Sequence, residues 1–200
     1  MADNKVKFGL ANCYYAPITA ETDNATTYGT PVALPGAVAL SLSANGSLDN
    51  FYADNNVYYV LSSANNYDGD LEIAAIPRQF LKDIFGDVED ANGALFELSE
   101  APTRYFALMF ETDGDVGGHR TVMYKCSATR PELGGNTKTD SVEVKTSTMS
   151  IKAIARVDES SIKHAASDTA VVGHAIQSSL NTGDTGYDTF FSSVYEPVAP

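Results

Sequence analysis

The residues that could carry chemistry in this chain are few and scattered. Two acidic clusters stand out, Asp68-Gly69-Asp70-Leu71-Glu72 and Asp113-Gly114-Asp115. Closely spaced carboxylates suit a hard cation such as calcium, but an EF-hand loop needs about twelve residues and a closing glutamate, which neither cluster has. In an extended strand Asp68, Asp70 and Glu72 fall on one face, so a polar solvent-facing surface accounts for them. His119, His164 and His174 are too dispersed for a zinc signature, and neither Cys13 nor Cys126 has a CxxC partner. Gly117-Gly118 and Gly134-Gly135 lack the following lysine and helix with which a glycine loop cradles phosphate. With no nucleophile set beside a base, the expectation is a chain that is not an enzyme and holds no metal or cofactor.

Aromatic residues give a different signal. Tyrosine occurs 11 times and tryptophan never, and Phe51-Tyr52, followed by Asp54, lies inside the polar stretch ANGSLDNFYADNN. Such rings either fold back on their own core or anchor a protein interface, where Tyr and Phe are enriched. The reading adopted is an interface loop over 44–55 with Phe51, Tyr52 and Asp54 as candidate contacts. A second candidate is the end of a C-terminal extension over 158–200, where Tyr195-Glu196-Pro197 reads as a docking arm.

Short strands punctuated by Gly, Asn, Asp and Pro must position these residues, the pattern of an antiparallel β-sandwich or barrel. In His119–Arg130, Val122, Tyr124, Cys126 and Ala128 alternate with Thr121, Met123 and Lys125, which predicts one buried and one wetter face. Thr103–Thr112 is apolar on both faces, and the following glycine-rich turn makes the two segments a hairpin. Thr139–Val157 alternates in two phases, with a bulge or crossing expected near Thr146 to Thr148. Pro31–Leu42, Asn56–Leu61 and Tyr67–Ile76 are further strands. Pro77–Phe85 is the clearest helix, opened by Pro77 and stopped by Gly86, and it is expected to flank the sheet. A second short helix is expected over Tyr187–Val194, and loops over Glu21–Thr30, Ala44–Asn55 and Ser160–Gly186.

Composition narrows the class. At 200 residues and 44% hydrophobic content, one domain spanning 1–200 buries a sizeable core. The formal net charge of -13 disfavours a protein that grips phosphate. Met1 to Leu10 has no apolar signal region and no stretch approaches roughly 18 apolar residues, so no membrane association and a cytoplasmic origin are expected. In that compartment Cys13 and Cys126 remain buried thiols. Charge is also uneven: Asp83 to Asp115 holds nine acidic residues against Arg104 alone, whereas Arg120 to Lys163 holds eight of the thirteen basic ones. Such segments are either solvated faces or acidic and basic surfaces that meet across a repeated subunit contact.

Several short motifs fall in a familiar order. Lys5-Val6-Lys7-Phe8-Gly9-Leu10, Tyr14-Tyr15-Ala16-Pro17-Ile18-Thr19, Leu34-Pro35-Gly36-Ala37-Val38 and Phe51-Tyr52-Ala53-Asp54-Asn55 come first. Tyr67-Asp68-Gly69-Asp70-Leu71-Glu72-Ile73, Ala128-Thr129-Arg130-Pro131 and Ser193-Val194-Tyr195-Glu196-Pro197 follow. Together they resemble the major tail proteins of siphophages infecting Gram-positive bacteria, over most of the chain except Asp158 to Gly186. The resemblance implies a mainly β fold, a sandwich or barrel of tail-tube type with one flanking helix and long loops. It further implies six copies closing into a ring, rings stacking into a tube through which DNA passes without specific binding, and no catalytic residue or cofactor. Implied partners are further copies of itself, a tape measure protein, a tail terminator and distal tail or baseplate proteins, and the implied location is the virion tail, assembled in the bacterial host cytoplasm. The competing reading is a β-sandwich binding module of the virion that recognises a host-surface carbohydrate.

Overall fold

The computed structural model describes residues 9–22, 25–46, 48–53, 55–62, 66–112, 118–135, 145–156, 161–163, 170–172 and 175–197. Its first half contains β1 (Leu10–Thr22), β2 (Ala25–Tyr28), β3 (Val32–Ala33), β4 (Ala37–Asn45), β5 (Leu48–Ala53), β6 (Asn56–Ser62), β7 (Asn66–Ile73) and α1 (Arg78–Phe85). There follow β8 (Val88–Glu89), β9 (Leu95–Phe96), β10 (Phe106–Thr112), β11 (His119–Ala128), β12 (Ser147–Ile154), β13 (Ser161–Lys163), β14 (Ala170–Val172) and β15 (Gln177–Leu180). Nine strands form one antiparallel sheet in the order β2-β1-β10-β11-β12-β7-β4, with β3 added to β1 and β15 added to β11. The chain is thus mainly β with one helix, and its sheet is not closed into a barrel.

Helix α1 forms where the sequence predicts it. Pro77 sits at the N-cap in extended conformation, and Gly86 ends the helix at φ 73°, a left-handed conformation that a residue without Cβ adopts at little steric cost. Phe80, Ile84 and Phe85 face the sheet. Phe80 packs edge-on against Tyr15 at 4.8 Å and Phe106 at 5.5 Å between ring centroids. Each such ring contributes roughly 1.5–3 kcal/mol by leaving water. This core face also takes Leu71, Ile73, Met149, Ile151 and Ala153, which bears out the alternation read in β7 and β12. Asp68, Asp70 and Glu72 lie on the opposite, uncovered face beside Lys152, Ser150 and Thr148 of β12.

Several expectations change on folding. Strand β11 is buried on both faces from Val122 to Cys126, where one wet face was expected. A register shift against β10 moves Cys126 and Ala128 to the α1 side with Met123, while Val122 and Tyr124 remain on the other. That bulge is where the sheet forks: β15 pairs Arg120 to Met123, and β12 pairs Lys125 to Ala128. Pro31–Leu42 is broken by a turn at Pro35-Gly36, with Gly36 at φ 86°, into β3 and β4. Of the expected loops, 21–30 contains a hairpin between the end of β1 and β2, and 44–55 contains the end of β4 and all of β5. Short strands β13, β14 and β15 likewise occupy parts of 160–186. No helix forms at Tyr187–Val194; successive turns run there instead, with Phe190 and Ser192 donating to the carbonyls of Tyr187 and Thr189. From Ser147 to Ala153 β12 pairs with β7 without a register shift, and Val142 and Val144, the first phase of the switch expected near 146–148, lie outside the described residues.

Both cysteines are free and buried. Desolvation pushes the Cys13 thiol up to about 11 and the Cys126 thiol to about 12, so neither is a thiolate near neutral pH.

Candidate functional site

Three surfaces hold the residues that sequence singles out. The first is the open side of the sheet. Among the described residues β4 pairs with β7 alone, which leaves the other edge of a nine-residue strand unpaired. Its sequence, AVALSLSAN, contains no charge and no proline, the two commonest devices that protect an edge from pairing. Between this strand and the beginning of β1 runs a seam. A cleft of about 280 Å³ is bounded by Leu10 to Tyr14 on one side and Ala33 to Ala37 on the other. A second cleft of about 340 Å³ has Leu40 and Leu42 of β4 facing Phe110 and Met123. Tyr67 and His119 stand among its polar groups, and no Asp, Glu, Lys or Arg lines it.

The second surface is the β5–β6 hairpin. It places Phe51 opposite Tyr59 and Tyr52 opposite Val57 in the backbone register, with a shift between the two pairs. The side chains of Phe51 and Tyr52, and Asp54 altogether, lie outside the described positions. Tyr58 and Tyr59, which the sequence reading passed over, are 75% and 61% exposed. Both rings are uncovered, and Tyr58 is the extra residue at the register shift. The signal was present in NVYYVLS, where apolar residues occupy both phases of the strand.

The third surface is the far face of β1, β10 and β11, covered by residues 187–196. Phe190 and Val194 are buried there against Ala107, Met109, Val122 and Tyr124. Phe191 stacks on Tyr14 at 4.8 Å. Two arginine clusters fasten the segment. In one, a bulge at Asn12 (φ 49°) directs its amide to the buried Glu111 at 2.8 Å, and the Tyr187 hydroxyl donates to the same carboxylate at 3.2 Å. Arg120 lies 3.3 Å from Glu111 and 3.9 Å over the Tyr187 ring, and it donates to the Tyr187 carbonyl. Gly118 is needed beside this cluster, since a Cβ there would stand 2.4 Å from Thr182 Oγ1 and 2.7 Å from the Tyr187 hydroxyl.

In the other cluster Arg156, only 2% exposed, pairs with Glu196 at 2.7 Å and lies 4.2 Å over Tyr124, whose hydroxyl donates to the Tyr195 carbonyl at 3.0 Å. Burial opposes the Arg156 charge, but Glu196 and Tyr28 outweigh it and hold the guanidinium protonated. The predicted arm Tyr195-Glu196-Pro197 is therefore seated on its own domain, with Tyr195 and Pro197 half-buried and Glu196 exposed.

Burial pushes the Tyr124 hydroxyl up to about 12, and the Tyr15 and Tyr28 hydroxyls are raised mainly by burial too. A tyrosine ionises near 10 when unfolded. Between about pH 10 and 12 the unfolded chain therefore holds fewer protons at these sites than the folded one, and stability falls as pH rises. Urea midpoints should be level up to about pH 8, begin to fall as the thiols of Cys13 and Cys126 ionise in the unfolded chain at about 8.5, and drop more steeply above about pH 10.

The acidic and basic segments meet within one chain. Arg130 pairs with Asp87 and Glu97, Arg120 with Glu111, and Lys152 with Asp68. Lys125 pairs with Glu21 and Arg156 with Glu196. Among the described residues no three His, Cys, Asp or Glu side chains gather as a metal site, and no helix is long and apolar enough to cross a membrane.

No protein-family model and no curated protein matches the chain. Among solved structures it is similar to a chain of the cryo-EM structure of the anti-feeding prophage (AFP) baseplate, 6-fold symmetrised. The identity is 12%, over 76% of this chain and 91% of that one, and the TM-score is 0.36. A likeness of that degree carries no argument about fold or role.

Proposed function

We propose that the chain is a structural subunit of a bacteriophage tail tube, which self-associates into rings, six copies by the resemblance, that stack around a channel for DNA. The observation that carries this reading is the open antiparallel sheet with its long, uncharged edge, free among the described residues. A protein that works alone normally blunts such an edge, whereas head-to-tail contacts between identical subunits close into rings and occupy it. The ordered motifs from Lys5 to Pro197 support the same role.

Charge suits passage of a polyanion. Six copies would carry 6 × -13 = -78 formal charges. The uncovered face with Asp68, Asp70 and Glu72 is the surface best suited to a DNA-facing wall, because carboxylates repel phosphate within a Debye length of about 10 Å. No step of this role needs a catalytic group or cofactor. The proposed partners beyond further copies are the tape measure, tail terminator and distal tail or baseplate proteins. Sedimentation velocity over a concentration series tests the reading: the weight-average coefficient should climb with concentration, and a value that stays at the monomer throughout would contradict it.

A further inference from the structure

We infer that strand β6 of one copy pairs with the free edge of β4 in the next, closing the seam in the sheet with a strand that no described residue of the same copy supplies. This rests on the self-association reading and adds which strands meet. Both partners are uncharged and free of proline, AVALSLSAN in β4 and NVYYVLS in β6, and among the described residues each has a neighbour on one side only. The hairpin has a reason to seek cover, since a two-stranded ribbon with two exposed rings, Tyr58 and Tyr59, is marginal in water. The seam offers that cover. Beside the backbone edge of β4 lies the cleft floored by Leu40, Leu42, Phe110 and Met123, and an added strand would hydrogen-bond to the edge while its alternate side chains enter the cleft. A cleft lined by no Asp, Glu, Lys or Arg suits a donor strand without charge. The contact is heterologous: every copy offers one hairpin and one edge, the condition for a ring.

Complementation of two defective variants tests the pairing. Ala39→Lys with Ser41→Lys puts two charges on exposed positions of the edge and leaves the hairpin intact. Tyr58→Lys with Tyr59→Lys charges the hairpin and leaves the edge intact. All four sites are exposed, so both variants should keep native circular dichroism. Each alone should sediment as a monomer under conditions where the unaltered chain assembles. Mixed in equal amounts, they should form a one-to-one dimer and stop there, because one live hairpin and one live edge remain. If either variant assembles as the unaltered chain does, or the mixture stays monomeric, the pairing is overturned while self-association stands. If the unaltered chain itself stays monomeric, both readings fall together.

Discussion

Gly69→Ala should be among the most damaging single substitutions in the chain, lowering stability by about 3 kcal/mol, the upper end of what overpacking costs. Strand β7 runs between β4 and β12, and at Gly69 the backbone of β4 comes so close that an added Cβ would stand 1.7 Å from the Ser41 carbonyl oxygen and 2.9 Å from Leu42 Cα. The obstruction is backbone, so no side-chain rotation relieves it; β4 has to move away from β7. The expected fall in melting temperature is roughly 6–12 °C. Gly135→Ala is the matched control, for nothing lies within 4 Å of its added Cβ, and its effect should stay within about 0.5 kcal/mol. Displacing β4 also disturbs the edge proposed to receive a neighbour, so Gly69→Ala should impair assembly even at temperatures where the monomer remains folded.

Glu111→Ala should cost about 3 kcal/mol for a different reason. Glu111 and Arg120 are largely buried, with side-chain exposures of 10% and 17%, and the carboxylate also holds the Asn12 amide and the Tyr187 hydroxyl. Removing it leaves a guanidinium in a poorly solvated place without its carboxylate, the situation in which breaking a buried pair is most costly. Since Arg120 and Tyr187 fasten the C-terminal segment, its loosening should precede global unfolding. Limited proteolysis read by mass spectrometry should show cleavage within 181–197 appearing first in this variant. If the segment is cut no faster than in the unaltered chain, Glu111 does not hold it down.

Legibility from sequence followed how local each determinant was. Helix α1 was readable because Pro77 and Gly86 punctuate a helical apolar stripe. Strands β7 and β12 were readable because alternation maps directly onto one covered and one uncovered face. Strand β11 kept its position but lost its phase, since a bulge paired against β10 is a long-range event that leaves no mark in a period-two pattern. The turns of 187–194 carry a helix-like spacing of Phe190, Phe191 and Val194, yet that stripe is used to cover a sheet face, and side-chain anchoring to Arg120 overrides the local preference. Tyr195 and Glu196 were read as a docking arm for a neighbouring copy, and within one chain they are bonded to their own domain, an arrangement set by Tyr124 and Arg156 far away in sequence. Phe51 and Tyr52 looked like loop anchors because the polar residues around them hide the pairing of β5 with β6.

The intrachain ion pairs change how the net charge is understood. Five basic residues between Arg120 and Arg156 pair with carboxylates of the same chain. Electrostatic attraction between acidic and basic segments of neighbouring subunits is thus a weaker basis for assembly than the unpaired edge, and the surplus of carboxylates is better placed to act on what passes the protein.

Negative-stain electron microscopy of the purified chain at high concentration examines self-assembly most directly. Rings or tubes of uniform diameter around a central channel are expected, and they should disappear when Ala39 and Ser41 carry lysine. A field of solitary particles that persists on further concentration, accompanied by binding to host-surface glycans, would contradict the tube and leave a carbohydrate-binding module as the better description.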